Sequence, residues 1–289
     1  MYNKVKQSII KIKENGFNWL ILTVLSKISY GILDFRLDTF AEKKRDNFSK
    51  LIAKKLSNTV KYGLFKGLKL SSKQYWGASD IGTKCLGLYE LEIQNSIEDI
   101  QKNKNLSTFI DIGGADGYFA LGVLVNDLFE NTIVFEKSKL GKKSLENNAS
   151  LNQLQNRINI NGEASAKSIS KLISSNRINL SKSLFLCDVE GYEYELFNDN
   201  FLELIQFSYI IIEIHYFTEE LNRKREIFLE KIDKFFNTKI INFSGRDLST
   251  IPELKYYSDL DRALIISEGR SMLGEWVVLT PKYEKVEIV

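Results

Sequence analysis

"FIDIGGADGYFALG", residues 109–122, is an apolar run broken by an Asp, by glycines and by a second Asp before it turns apolar again. The pattern predicts a buried strand, "TFIDI" at 108–112, then a tight turn, then a helix through "ALGVLVNDLF" at 120–129. Glycines at such a turn let the backbone swing sharply and let a ligand approach where a Cβ would clash. In doubly wound sheets this crevice, outside the carboxyl ends of the strands, is where nucleotides bind.

Spacing separates the ligand classes. A dinucleotide fingerprint, G-x-G-x-x-G, would need glycine at 112, 114 and 117, and position 112 is Ile. That disfavours a dehydrogenase, and the G-x-x-x-x-G-K-[ST] of a phosphate-binding loop is missing as well. What stands is D-x-G-x-x-x-G, formed by Asp111, Gly113 and Gly117. An acid at the strand end repels a pyrophosphate and suits a ligand with an ammonium group and no phosphate. S-adenosylmethionine has that ammonium and a sulfonium besides. The next strand, "TIVFE", ends on Glu136, where a carboxylate can accept both ribose hydroxyls. After the third strand, "NGEAS" offers Glu163 to the adenine amino group, flanked by small Ala164. Glu90, ahead of the sheet, is expected to touch the cofactor at its methionine end.

Outward from the loop, "TFIDI", "TIVFE", "RINI", "SLFLCDV", "YIIIEIH", "KIINF" and "EWVVLT" alternate with helical patterns. Strands alternating with helices call for an α/β fold: a doubly wound, seven-stranded, mostly parallel sheet buried on both faces. The sheet is expected over about 105–280 within a domain at 61–289, preceded by a helical segment at 1–60. Between the sixth and seventh strands, 244–274 reads as an insertion in which Ser258 caps a short helix carrying Leu260, Ala263 and Leu264.

The chain is 44% hydrophobic and 12% aromatic, enough for a sizeable core. Its two cysteines, Cys85 and Cys187, are far apart and outside any metal-ligand spacing, which favours reduced thiols in a cytoplasmic protein. One histidine, His215, excludes a His-rich metal centre. The net charge of +3 hides an asymmetry, because residues 1–70 carry 15 Lys/Arg against 5 Asp/Glu. Such a segment is either a solvated helical face or a contact for something anionic, such as a membrane surface. "FNWLILTVL", 17–25, falls short of the roughly 20 apolar residues of a membrane span, so it reads as a buried or interfacial helix.

Asp188 and Glu190 are two apart at the end of the fourth strand, and Glu213 and His215 repeat that spacing on the fifth. All four are expected in one crevice beside the methyl donor, with Glu213 near the acceptor. Where the acceptor is an alcohol, its proton must leave as the new bond forms, and His215 or Glu190 is then the expected base, with Asp188 beside them. Crowded carboxylates raise one another's pKa, which suits a base working near neutrality. Mg²⁺ on Asp188, Glu190 and Glu213 is the alternative use of these acids, and it is not adopted.

At this point the residues resemble a known family. "DIGGADGYFALG" (111–122) is similar to motif I of class I methyltransferases, and "LFLCDVEGYEYELF" (184–197) resembles the D-x-E-G-x-E segment of the FkbM-type methyltransferases. "IIIEIH", "YGLFKGLKL" (62–70), "GLYELE" (87–92) and "DRALIISEGR" (261–270) fit the same group. The resemblance spans about 62–280. It implies O-methylation by S-adenosylmethionine, often of sugar or polyketide hydroxyls. Carried onto this chain, it has Asp111, Gly113 and Gly117 bind the cofactor, Glu136 hold the ribose, and Asp188, Glu190 and Glu193 lie at the reaction end.

Three functions compete. The first is an O-methyltransferase acting on a carbohydrate hydroxyl, in the cytoplasm or at the membrane periphery through the basic N-terminus. The second is a nucleic-acid methyltransferase, but the Pro-Pro-aromatic turn of amino-methylating enzymes is missing where "DVEGYE" stands, and no nucleic-acid partner is expected. The third is a non-catalytic cofactor-binding assembly subunit, against which the intact Asp111, Gly113, Gly117, Glu136 and Asp188 argue.

Overall fold

A computed structural model describes residues 40–73, 75, 79–175, 177–270 and 274–283, with isolated positions between 21 and 29. Most of the expected helical segment before residue 40 lies outside the described residues, including most of "FNWLILTVL". The chain divides into two units, Met1–Asp46 and Asn47–Val289, and everything below belongs to the second. That unit opens with helical residues 47–55, whose Ile52 and Ala53 are buried in its cores.

Seven strands form one sheet: β1 (Thr108–Ile112), β2 (Asn131–Phe135), β3 (Ile158–Asn161), β4 (Ser183–Cys187), β5 (Tyr209–Ile214), β6 (Phe236–Asn242) and β7 (Glu275–Pro281). Their order is β3-β2-β1-β4-β5-β7-β6, with β1 to β5 parallel and β7 antiparallel to both its neighbours. The expected doubly wound, mostly parallel sheet is therefore present, with one reversed strand slotted between β5 and β6.

Strand alternation sorts the apolar side chains into two cores. Phe109 and Leu186 face one side, with Ile93 and Ile97 of helix Leu91–Lys104 and Leu121 of helix Tyr118–Val125. Ile110, Ile112 and Ile210 face the other, against Phe201 of helix Asp199–Ile205 and Phe228 and Ile232 of helix Glu219–Phe235. Each fully buried side chain of this kind contributes about 1.5–3 kcal/mol. Cys85 and Cys187 are free and buried among them, as the wide spacing implied. In the insertion, Ser258 accepts from Asp261 N and caps helix Asp259–Ile266, as expected.

After β1 the chain winds outward through β2 and β3, then returns so that β4 pairs with the opposite edge of β1. The crossovers separate there and leave a crevice above the strand ends. A cavity of about 530 Å³ occupies it.

Candidate active site

The glycine loop forms the cavity floor. Gly113 has φ +96°, and a Cβ on it would sit 1.8 Å from the Asp188 carbonyl oxygen, where the chain leaves β4. Gly114 lies against Val134, whose Cγ1 would be 2.2 Å from an added Cβ. Gly117 has φ +82° and is glycine for a packing reason: its Cβ would strike Leu145 Cδ1 at 2.2 Å, and it does not line the cavity. Gly114, which the spacing argument passed over, lines the cavity beside Gly113. Gly113→Ala is expected to cost about 2–4 kcal/mol in urea denaturation, since strained backbone and a clash with a strand exit add.

Asp111 ends β1 on the cavity side and is 4% exposed. Burial, chiefly, and then the charge of Glu136 lift its carboxyl to about 7, against a backbone hydrogen bond from Ala120 that lowers it. Glu136 accepts from Ala115 N at 2.9 Å and Ser138 N at 2.6 Å, which clamps the β2 exit to the glycine loop. A carboxylate has about four acceptor sites, so this clamp leaves room for hydroxyls. Glu163 lies at the cavity rim, paired with Lys137 at 2.8 Å, with Ala164 buried behind it. Asp116, which the sequence did not single out, accepts from Tyr75 N at 2.9 Å and from Ser144 Oγ, anchoring the loop from below.

Beyond the β4 end stand the acids expected there. Asp188 and Glu190 line the cavity. Glu190 has φ +52° and Gly191 has φ +101°, two left-handed residues in succession; for a non-glycine this stores about 1–3 kcal/mol, a strain typical of functional turns. Burial and the charges of Glu213, Glu90 and Glu190 push the Asp188 carboxyl well above the usual range, and its Oδ1 is buried without a hydrogen-bond partner.

His215 lies behind these acids rather than in the cavity wall. Its Nε2 is 3.6 Å from Asp188 Oδ1 and 3.5 Å from Glu190 Oε2. Its Nδ1 lies 3.2 Å from Glu193 Oε1, and its backbone N–H donates to the same oxygen at 2.9 Å. Glu193 is fully buried and also accepts from Gly191 N at 2.9 Å. Glu193, expected at the reaction end, stands at the start of the short helix Glu193–Leu196 and faces inward against His215. Burial lowers the imidazole pKa, but the Glu193 hydrogen bond and the charges of Glu193, Glu213 and Glu190 outweigh it, leaving a net rise above 6.5.

Glu213 is likewise buried and ion-paired with Arg270, which also binds Glu90 and, at 2.9 Å, Glu268. Donor atoms of Asp188, Glu213 and His215 lie within 4.8 Å of one another, a spacing a cation could bridge. Arg270 and Glu193 already partner two of the three, and no cation is invoked. Glu90 lines the cavity at φ +44°, and burial, chiefly, with the Glu213 charge, lifts its carboxyl to about 8 against the pull of Arg270. Sequence reasoning missed Arg270. It lies 57 residues beyond Glu213 in the insertion, and no local spacing ties it to the site.

No protein-family model matches the sequence, and no curated protein matches it. Solved structures do match. Human methyltransferase 10 domain containing protein superposes with a TM-score of 0.50 over 84% of this chain and 98% of its own, at 13% identity. An O-methyltransferase from Bacillus cereus, solved in complex with SAH, matches 66% of this chain and 81% of its own at 12% identity, with a TM-score of 0.45. At such identity the likeness is one of architecture, and the chain has the seven-stranded Rossmann-like fold found in methyltransferases.

Proposed function

We propose that the protein is an S-adenosylmethionine-dependent O-methyltransferase acting on a hydroxyl of a sugar, a glycan or a related bacterial product. The observation that carries this reading is the cavity at the β1/β4 switch, lined by Asp111, Glu136 and Glu163 and also by Asp188 and Glu190, which His215 backs. Seven carboxylates line it against two ammonium groups, Lys84 and Lys137. That lining fits a ligand bearing an ammonium and a sulfonium, and it repels a nucleic-acid backbone. The D-x-E-G-x-E turn supports the FkbM-type assignment within the methyltransferases.

Asp111 and Glu90 would hold the ammonium half, Glu136 the ribose and Glu163 with Ala164 the adenine. When bound, the cofactor supplies an electrophilic methyl group. The chain's own part is alignment and proton removal, of which alignment contributes much of the rate. The acceptor hydroxyl gives its proton to the cluster of Asp188, Glu190 and His215, worth typically about 10²–10⁴-fold. Glu193 keeps the imidazole oriented, and Arg270 keeps Glu213 and Glu90 in place. The basic segment 1–70 would add contact with an anionic membrane surface from the cytoplasmic side; among the described residues no helix is long and apolar enough to cross a membrane.

Calorimetry with S-adenosylhomocysteine, with NAD as control, tests the reading. Micromolar binding of the first and none of the second is expected. Binding of neither would remove the cofactor, and the enzyme with it.

A further inference from the structure

The proposed ligand carries a carboxylate as well as its ammonium and sulfonium. A carboxylate entering a cavity lined by seven carboxyl groups finds its strongest partner where a cation meets it. Among the described lining residues there are two cations. Lys137 is solvent-exposed, follows β2, and is committed to Glu163 at the rim where adenine and ribose are read. Lys84 differs in burial and in place.

Lys84 lies on helix Ile81–Cys85 and is 6% exposed. Its Nζ is 4.6 Å from the centre of the Tyr89 ring and 5.8 Å from that of Tyr118. Asp80, one turn earlier, holds it at 3.1 Å. An ammonium has three donors, of which Asp80 takes one. For packing alone, an apolar side chain of the same length would serve as well, because a buried ion pair adds little stability over a hydrophobic replacement.

Its position also fits. Tyr118 opens the helix that follows Gly117, so Lys84 flanks the glycine loop. Tyr89 feels the charges of Glu90, Asp188 and Arg270, so the Lys84–Tyr89 pair lies toward β4 and β5, away from Glu136 and Glu163 on the β2 and β3 side. Glu90, next to Tyr89 in sequence, also lines the cavity, with a carboxyl that an incoming ammonium would favour in its ionised form.

Resting on the cofactor reading above, we infer that Lys84 binds the carboxylate of the methionine half, with Glu90 facing its ammonium, so that the two grip an amino-acid zwitterion. The adenosine half is recognised separately. This makes the site selective for nucleoside thioethers that keep the whole amino acid.

The test is calorimetry of the full chain with three probes: S-adenosylhomocysteine, its decarboxylated analogue, and 5′-methylthioadenosine, which lacks the amino-acid portion. Wild-type protein is expected to bind the decarboxylated analogue about 10- to 100-fold more weakly than S-adenosylhomocysteine, the range for one charge-assisted contact. Lys84→Met should lose a similar factor for S-adenosylhomocysteine and none for 5′-methylthioadenosine, and Lys84→Arg should recover most of the loss. A wild-type protein indifferent to decarboxylation overturns the inference without any variant, and equal losses for both nucleosides in Lys84→Met overturn it as a merely structural role. Wild-type protein that binds no adenosine thioether at all defeats the cofactor reading itself.

Discussion

Replacing Asp111 by Asn is expected to make the unliganded protein more stable at pH 8, by roughly 2–4 kcal/mol, while abolishing S-adenosylhomocysteine binding. Asp111 is 4% exposed, and burial raises its carboxyl from the ordinary 3.8 to about 7. Because the folded pKa lies above the unfolded one, ionisation costs the folded state free energy. The contribution of this carboxyl is therefore most favourable in acid and is lost as pH rises toward 7. At about 1.36 kcal/mol per pKa unit the full cost approaches 4 kcal/mol, and an amide, which does not ionise, escapes it. Urea denaturation at pH 8 should show the gain, and at pH 4 the gain should vanish. A variant less stable than wild type at pH 8 would mean that burial does not tax Asp111. Binding should move the other way, by about 100-fold or more, since an amide offers an ammonium no charge. A residue kept at a cost to the fold is kept for a ligand.

Glu193→Gln is expected to lower the His215 pKa and to cut turnover about 10²- to 10³-fold, with S-adenosylhomocysteine affinity unchanged. Burial lowers the imidazole pKa, and Glu193 supplies the largest influences that raise it, its hydrogen bond and its charge. His215 is the only histidine in the chain, so a single imidazole resonance reports the titration without ambiguity. In wild type the midpoint should lie above 6.5, and in the variant it should fall. An unmoved midpoint would show that Glu193 does not control the imidazole. His215 N–H and Gly191 N–H donate to different oxygens of Glu193, so the amide keeps an acceptor for one and strands the other, at about 1–3 kcal/mol, whereas Glu193→Ala would strand both. Since His215 acts once neutral, turnover on the true acceptor should rise with pH through that raised midpoint.

The site was legible where chemistry is local. Asp111 and Gly113 were placed by one strand and the turn after it, and Glu136, Glu163, Asp188 and Glu190 each follow a strand that periodicity located. "TFIDI" matched β1 to the residue, because its five-residue length, its β-branched content and the Gly113 that follows favour a strand over a buried helix. β6 began three residues before "KIINF", directly out of the preceding helix, since Phe236 serves helix or strand equally until the partner strand β7 selects.

The amino-acid sequence by itself determined the alternation of strands and helices, the break in charge after the first strand, and the carboxylates at or just beyond the ends of β1 to β5. Those depend on neighbours two to four residues apart, where backbone geometry is nearly fixed. Tertiary structure decided the rest. Strand order, and hence the cavity at the β1/β4 switch, follows from which way each crossover folds. Gly113 must be glycine because β4 leaves past it, and Glu193 turns to His215 because its helix packs inward. Arg270 reaches Glu90 and Glu213 across 180 and 57 residues of chain. Contacts of that range exist only once two cores have closed around the sheet, and no periodicity within one element encodes them.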